Sequence, residues 1–213
     1  DTLYMLDLAL ADANAITLNL SAAGAGTYDV TAQGWSSSVT DIEIFYGAAG
    51  SDTMIGDIGN DSFYGAGGID HLSGGTGDDF LNGGTGNDVL NGDGGTDTAD
   101  YANDAADIEV DLTTDKDAIT VRQDTAGADY SDTLGNIERI RASSQSDVFL
   151  TTTAVLATLL AANSYEAGAD SGGDGDVLRF TSGAISFEAA DLAPYFSNFE
   201  TLDLSDENMS FTG

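Results

Sequence analysis

The chain has 213 residues, enough for a sizeable core, and 41% of them are hydrophobic. Against five Lys and Arg stand 37 Asp and Glu, a formal net charge of −32, which excludes the basic footprint of a nucleic-acid binder and electrostatic docking on an anionic membrane. The absence of Cys removes disulfides and Cys-ligated metals, no run of 18 apolar residues offers a membrane span, and 27 Gly with a single Pro rule out collagen and Pro-rich linkers.

The basic residues are Lys116, Arg122, Arg139, Arg141 and Arg179, so residues 1–115 carry 21 acids and no Lys or Arg. Such a segment repels itself. It is either disordered or built around bound cations, and composition does not choose between the two. The chain begins at Asp1 within a strand-like stretch and is expected to be part of a longer protein.

Residues 1–46 read as an N-terminal β flank or cap. The alternation in ITLNL (16–20) predicts a strand with one buried face. Trp35, in TAQGWSSSVT, is either an exposed loop aromatic able to stack on a sugar or a capping or core aromatic. Phe45 and Tyr46 sit in a strand-like context and are expected in the core.

Residues 47–100 fall into six unbroken nonapeptides: GAAGSDTMI, GDIGNDSFY, GAGGIDHLS, GGTGDDFLN, GGTGNDVLN and GDGGTDTAD. Position 1 is always Gly: Gly47, Gly56, Gly65, Gly74, Gly83 and Gly92. Position 4 is always Gly: Gly50, Gly59, Gly68, Gly77, Gly86 and Gly95. Position 6 is always Asp: Asp52, Asp61, Asp70, Asp79, Asp88 and Asp97. Position 8 is apolar: Met54, Phe63, Leu72, Leu81, Leu90 and Ala99.

A Gly-rich hexapeptide turns tightly and exposes its carbonyls. The three residues after it form a short strand whose position-8 side chain points inward. Turn and strand alternate, so two nonads make one revolution. Asp52, Asp70 and Asp88 then stack on one edge, and Asp61, Asp79 and Asp97 on the other. Carboxylates a strand spacing apart, about 4.8 Å, repel unless a cation lies between them. Oxygen donors without nitrogen or sulfur suit a hard cation, and flexible turns suit Ca2+ better than Mg2+.

These nonads resemble the RTX (repeats-in-toxin, hemolysin-type calcium-binding) family, with its GGxGxDxUx repeat. The correspondence is near-complete for GGTGDDFLN and GGTGNDVLN and looser in the first three nonads. The resemblance implies an all-β fold, a parallel β-roll with Ca2+ held between the turns of nonads i and i+2. The ligands it implies are the position-6 Asp side chains with carbonyls of the first five positions, including the position-1 and position-4 glycines named above. Sites are then expected between Asp52 and Asp70, Asp70 and Asp88, Asp61 and Asp79, and Asp79 and Asp97. Asp57, Asp78 and Asp93 are further turn acids, each a ligand or merely solvated.

Terminal coils need caps. Residues 101–150 read as a β flank with a degenerate repeat: NIERIRASSQSDVFL (136–150) aligns with DIEIFYGAAGSDTMI (41–55), and IEVDL (108–112) with ITLNL. Asp147 sits where Asp52 does, in a turn without glycine. Residues 151–213 read as a C-terminal cap. TAVLATLLAAN (153–163) has the spacing of a short helix ending at Asn163, and residues 188–192 that of a helical turn before Pro194. DVLRF (176–180) and ISFEA (185–189) read as strands. Asp176, in SGGDGDVLR, is expected to be a degenerate Ca2+ position.

His71 is the only histidine and, at position 7 beside inward Leu72, should face solvent. No second His exists for a two-His metal motif, no Ser-His-Asp triad can be completed except through His71, and carboxylate pairs of the glycosidase kind are expected from 37 acids by composition alone, so no enzyme is expected. The resemblance implies a Ca2+-dependent module of a secreted Gram-negative bacterial protein exported by type I secretion. The leading expectation is a structural part of an adhesin or S-layer protein; the alternative is an accessory domain of a secreted metalloprotease, lipase or polysaccharide epimerase. Expected partners are calcium ions, neighbouring domains of a longer chain, and either further copies of itself or cell-surface polysaccharide.

Overall fold

A nine-residue unit of turn plus strand places consecutive strands on opposite sides of a coil, so each strand meets the strand 18 residues away. A computed structural model of the chain shows this arrangement. It describes residues 2–4, 16–20, 25–30, 35–40, 43–113, 118–125, 128–152, 164–166, 177–182, 196–197 and 201–203. All of their regular structure is β. The expected helix at 153–163, the turn at 188–192, the strand at 185–189 and Asp176 lie outside the described residues.

The first segment holds β1 (Thr2–Tyr4), β2 (Ile16–Leu20), β3 (Ala25–Val30), β4 (Trp35–Thr40) and β5 (Ile44–Tyr46). The nonads supply β6 (Thr53–Ile55), β7 (Ser62–Tyr64), β8 (His71–Thr76), β9 (Phe80–Asn82), β10 (Val89–Gly94) and β11 (Thr98–Asp100). After them come β12 (Ile108–Asp111), β13 (Ile119–Thr125), β14 (Ala128–Gly135), β15 (Arg139–Arg141) and β16 (Val148–Thr152). The last are β17 (Ser164–Glu166), β18 (Val177–Ser182), β19 (Phe196–Ser197) and β20 (Thr201–Asp203). The chain forms two units, one of residues 1–99 with 131–137, the other of residues 100–130 with 138–213.

In the first unit one sheet runs β1-β5-β7-β9-β11, all parallel, with Leu3, Phe45, Phe63, Leu81 and Ala99 in register. The facing sheet runs β2-β6-β8-β10-β14, also parallel, with Leu18, Met54, Leu72, Leu90 and Leu134 in register. From β2 it continues as an antiparallel meander through β3 and β4, and Trp35 opens β4 rather than sitting in a loop. The position-8 side chains form the core: Met54, Phe63, Leu72, Leu81, Leu90 and Ala99 are all buried, as is Phe45. Each buried large side chain contributes about 1.5–3 kcal/mol. The Phe45 and Phe63 rings meet edge to face at 5.6 Å.

Tyr46 departs from its expected place in the core. It is half-buried and stacks at 4.5 Å on Tyr64, with Phe80 at 5.8 Å from Tyr64. Position 9 points outward in this register, so an aromatic there covers the outer face of the sheet.

The described strands of the second unit repeat the parallel pairing. Val110, Phe149, Leu178 and Leu202 are in register across parallel β12, β16, β18 and β20, and Ile140, Tyr165 and Phe196 across β15, β17 and β19. β13 adds to β12 antiparallel. Ile108, Val110 and Leu112 are buried while Glu109 and Asp111 are half-buried, the alternation expected of IEVDL. Among the described residues Arg141 pairs with Asp100 and Arg122 with Glu109, each at 2.9 Å. Among the described residues no helix is long and apolar enough to cross a membrane.

From the third nonad on, successive turns stack so closely that position 4 has no room for a side chain. Gly86 has φ +151°, and a Cβ there would overlap the Gly68 carbonyl oxygen. Gly59, in an early turn, meets only Asp57 Oδ1 at 3.5 Å. Gly86→Ala is therefore expected to cost at least about 1–3 kcal/mol, and Gly59→Ala to stay within about 0.5 kcal/mol. Thermal unfolding of the two variants in Ca2+ checks the difference.

Candidate metal centre

The turns bring the position-6 carboxylates together along the two edges of the first unit. On one edge the Asp52 N–H donates to Asp70 Oδ1 at 2.7 Å, and the Asp70 N–H to Asp88 Oδ1 at 2.8 Å. On the other the Asp61 N–H donates to Asp79 Oδ1 at 2.7 Å, and the Asp79 N–H to Asp97 Oδ1 at 2.8 Å. All six carboxylates are at most 3% exposed. One oxygen of each later aspartate thus clips its coil to the coil before.

The second oxygen differs along the ladder. Asp52 Oδ2 accepts the Ala48 N–H at 2.8 Å, and Asp61 Oδ2 the Asp57 N–H at 3.2 Å. In the next three nonads position 2 takes a positive φ, at Ala66, Gly75 and Gly84. There Asp70, Asp79 and Asp88 each keep a buried Oδ2 with no hydrogen-bond partner. A buried anionic oxygen without a donor costs several kcal/mol unless a cation or a proton meets it.

Backbone oxygens gather at the same places. A Cβ at Gly65 would meet Asp70 Oδ2 and, at 2.6 Å, the carbonyl oxygen of Gly83 on the next coil. Gly47 repeats this with Asp52 Oδ2 and the Gly65 carbonyl, and Gly56 with Asp61 Oδ2 and the Gly74 carbonyl. Position-4 carbonyls face the next coil as well, the Gly50 oxygen lying where a Cβ of Gly68 would stand and the Gly59 oxygen where that of Gly77 would. Among the described residues no three carboxylate, His or Cys side chains converge into a ready cage, so a cation here would draw most of its ligands from the main chain. Oxygen-only donors on glycine turns fit Ca2+.

The field agrees with the geometry. Burial first, and then neighbouring carboxylates, push the Asp61 and Asp70 carboxyls up to about 7. Asp79 and Asp88 are also raised, first by burial. The first unit holds 16 acids and no Lys or Arg.

The other turn acids are spent on the turns. Asp57 Oδ1 accepts the Gly59 N–H, Asp78 Oδ1 the Thr96 N–H, and Asp93 the Ser73 hydroxyl and the Asn91 amide. Asp78 belongs to an outer ladder that sequence reasoning missed. At position 5, Ser51 accepts the Ile69 N–H, Asn60 the Asp78 N–H, and Asn87 the Ser131 N–H. The signal was the polar, hydrogen-bonding character of position 5 in five of the six nonads. His71 is exposed on β8.

Asp147, in the second unit, is an internal contrast. It is fully buried, yet its Oδ1 accepts the Ile108 N–H at 2.8 Å and the Ser143 hydroxyl sits 2.8 and 3.1 Å from its two oxygens. A hydroxyl of its own turn meets the carboxylate where Asp70, Asp79 and Asp88 have none.

The raised carboxyls fix the pH response. With Ca2+ chelated, the folded roll holds protons that the unfolded chain, with ordinary carboxyls near 3.8, releases. Stability from this source is complete below about pH 4 and is lost as pH rises through about 7. Thermal unfolding in EDTA should therefore occur at higher temperature at pH 5.5 than at pH 8, and the Ca2+ needed for folding should rise at the lower pH because protons compete. A flat profile in EDTA would contradict buried, cation-free ladders.

Comparison with known families agrees with this geometry. Residues 39–72 and 64–99 match the RTX calcium-binding nonapeptide repeat, in four copies. No curated protein matches the chain. Such repeats are structural calcium-binding modules rather than catalytic ones, and Ca2+ is the ion they take. Residues 39–99 therefore form a parallel β-roll of RTX calcium-binding nonapeptide repeats.

Proposed function

We propose that this chain is a Ca2+-gated structural module of a secreted bacterial surface protein, an adhesin or S-layer protein, with no catalytic role of its own. One observation carries the reading: Asp70, Asp79 and Asp88 are buried with an unpartnered oxygen in a unit that has no Lys or Arg. Such ladders favour an extended chain where Ca2+ is scarce, a form suited to passage through a narrow secretion channel. Outside the cell, Ca2+ near millimolar exceeds the affinity range of extracellular sites. Bound there, Ca2+ supplies the positive charge that the fold lacks, and its binding free energy adds to folding stability. The exposed His71 and the acidic, clip-forming turns offer no nucleophile–base pair that would favour catalysis.

The ligands of this reading are the six position-6 aspartates with the carbonyls of position-1 and position-4 glycines. Asp79 belongs to two neighbouring pairs on its edge. Asp79→Ala should raise the Ca2+ midpoint of folding about tenfold, equivalent to about 1.4 kcal/mol. Light scattering on a sizing column, in EDTA and then in millimolar Ca2+, reads that midpoint as compaction. An unchanged midpoint in the variant, or no compaction in the parent, would remove the ladder from this role. Growth of the parent into an ordered lattice in Ca2+ would place it in a surface layer, and compaction to a monomer in a spacer.

A further inference from the structure

The last coil of the first unit is completed by residues that lie far along the chain. The Ser131 N–H donates to Asn87 Oδ1 at 2.9 Å, as the Ile69 N–H does to Ser51. The Asp88 N–H donates to Asp132 Oδ1 at 2.9 Å, as the Asp70 N–H does to Asp88. The Thr133 N–H donates to the Asp88 carbonyl, as the Val89 N–H does to the Asp70 carbonyl. Leu134 stands in register with Leu90 and is fully buried. The Asn136 carbonyl lies where a Cβ of Gly92 would point, beside Asp97 Oδ2, the place the Gly65 carbonyl takes at Gly47. Residues 131–135 thus occupy positions 5 to 9 of a seventh nonad, and Asn136 position 1 of an eighth. The partners are 44 or 45 residues apart instead of 18 or 19.

Asp132 is 1% exposed and stacks on Asp88, also 1% exposed, whose Oδ2 is buried without a partner. Two buried carboxylates on adjacent rungs carry two negative charges that no Lys or Arg of their unit offsets. The family correspondence ends at residue 99, so this rung lies beyond it. We infer that Asp132 pairs with Asp88 in a further Ca2+ site, formed by joining the detached segment 131–137 to the end of the roll, with the Asn136 carbonyl serving the opposite edge at Gly92.

The inference rests on the reading of the ladders as Ca2+ sites, and the test separates the two. Asp132→Asn keeps an oxygen for the Asp88 N–H and removes only the charge. Equilibrium dialysis of the full chain against Ca2+ should show one ion fewer per chain than the parent, and the Ca2+ midpoint of compaction should rise. In EDTA the variant should be no more expanded than the parent, because a buried repulsion is gone. An unchanged Ca2+ number, or equal destabilisation with and without Ca2+, would make Asp132 a structural acceptor and overturn the inference while leaving the ladder reading intact. A parent that binds no Ca2+ would overturn both. If Asp132→Asn does not compact at any Ca2+ concentration, Asp132→Glu decides: compaction recovered at raised Ca2+ supports the charge, and failure like that of the Asn variant rejects it.

Discussion

Burial of like-charged carboxylates in rows is the constraint from which the rest of the first unit follows. Neighbouring unit charges at a strand spacing of about 4.8 Å repel by about 3 kcal/mol at an effective dielectric of 20. That equals what a stacked position-8 side chain contributes, about 1.5–3 kcal/mol. The apolar stack of Met54, Leu72 and Leu90 is therefore offset, rung by rung, by Asp52, Asp70 and Asp88 beside it. Backbone clips to Oδ1 recover part of the cost, at about 1.5–3 kcal/mol for a hydrogen bond to a charged group. The remaining oxygen decides the balance, and only a proton or a cation can meet it.

The same chain shows the alternative. In the second unit Asp147 receives a hydroxyl from Ser143, Asp100 receives Arg141, and Glu109 receives Arg122. Every one of the five basic residues lies outside the first unit. Among the described residues, the buried side-chain oxygens that no hydrogen bond meets belong to aspartates of the first unit, Asp70, Asp79 and Asp88 among them. Burial geometry, more than acidic composition, marks where a cation or a proton is wanted.

The strict nine-residue period made much of this legible. Fixed Gly, Gly, Asp and apolar positions determine which side chains enter the core, which edge each aspartate joins, and a donor set of oxygen alone. The period says nothing of how a carboxylate divides its two oxygens, because that depends on the turn: Oδ2 of Asp52 finds the Ala48 N–H, while Oδ2 of Asp70 is left without one when Ala66 takes φ +77°. Tyr46 was misplaced for a related reason. Aromatic character suggested core, but position 9 faces outward, where it stacks on Tyr64. Asp132 escaped notice because GADYSDTLG (127–135) keeps Gly, Asp and Leu at positions 1, 6 and 8 but has Tyr at position 4, and lies a long excursion from the array. Sequence proximity hides a rung that hydrogen bonds restore.

The two invariant glycines of the nonad serve different physical needs. From the third nonad on, position 4 needs backbone freedom, as the φ of +129° to +152° at Gly68, Gly77, Gly86 and Gly95 shows. Position 1 has no positive φ at any nonad; its glycine is there for space, since a Cβ would strike the Oδ2 of the same nonad's aspartate. Glycine at position 1 therefore keeps carboxylate and carbonyl oxygens close together, and Asp at position 6 makes that closeness unfavourable without a cation. At residues 142–150 both conditions lapse together: Ala142 takes position 1, Ser143 follows it, and the buried Asp147 is satisfied by a hydroxyl. Asp70, Asp79 and Asp88, each facing a position-1 glycine and each with a second oxygen that no hydrogen bond meets, are the places where this fold calls for a cation or a proton.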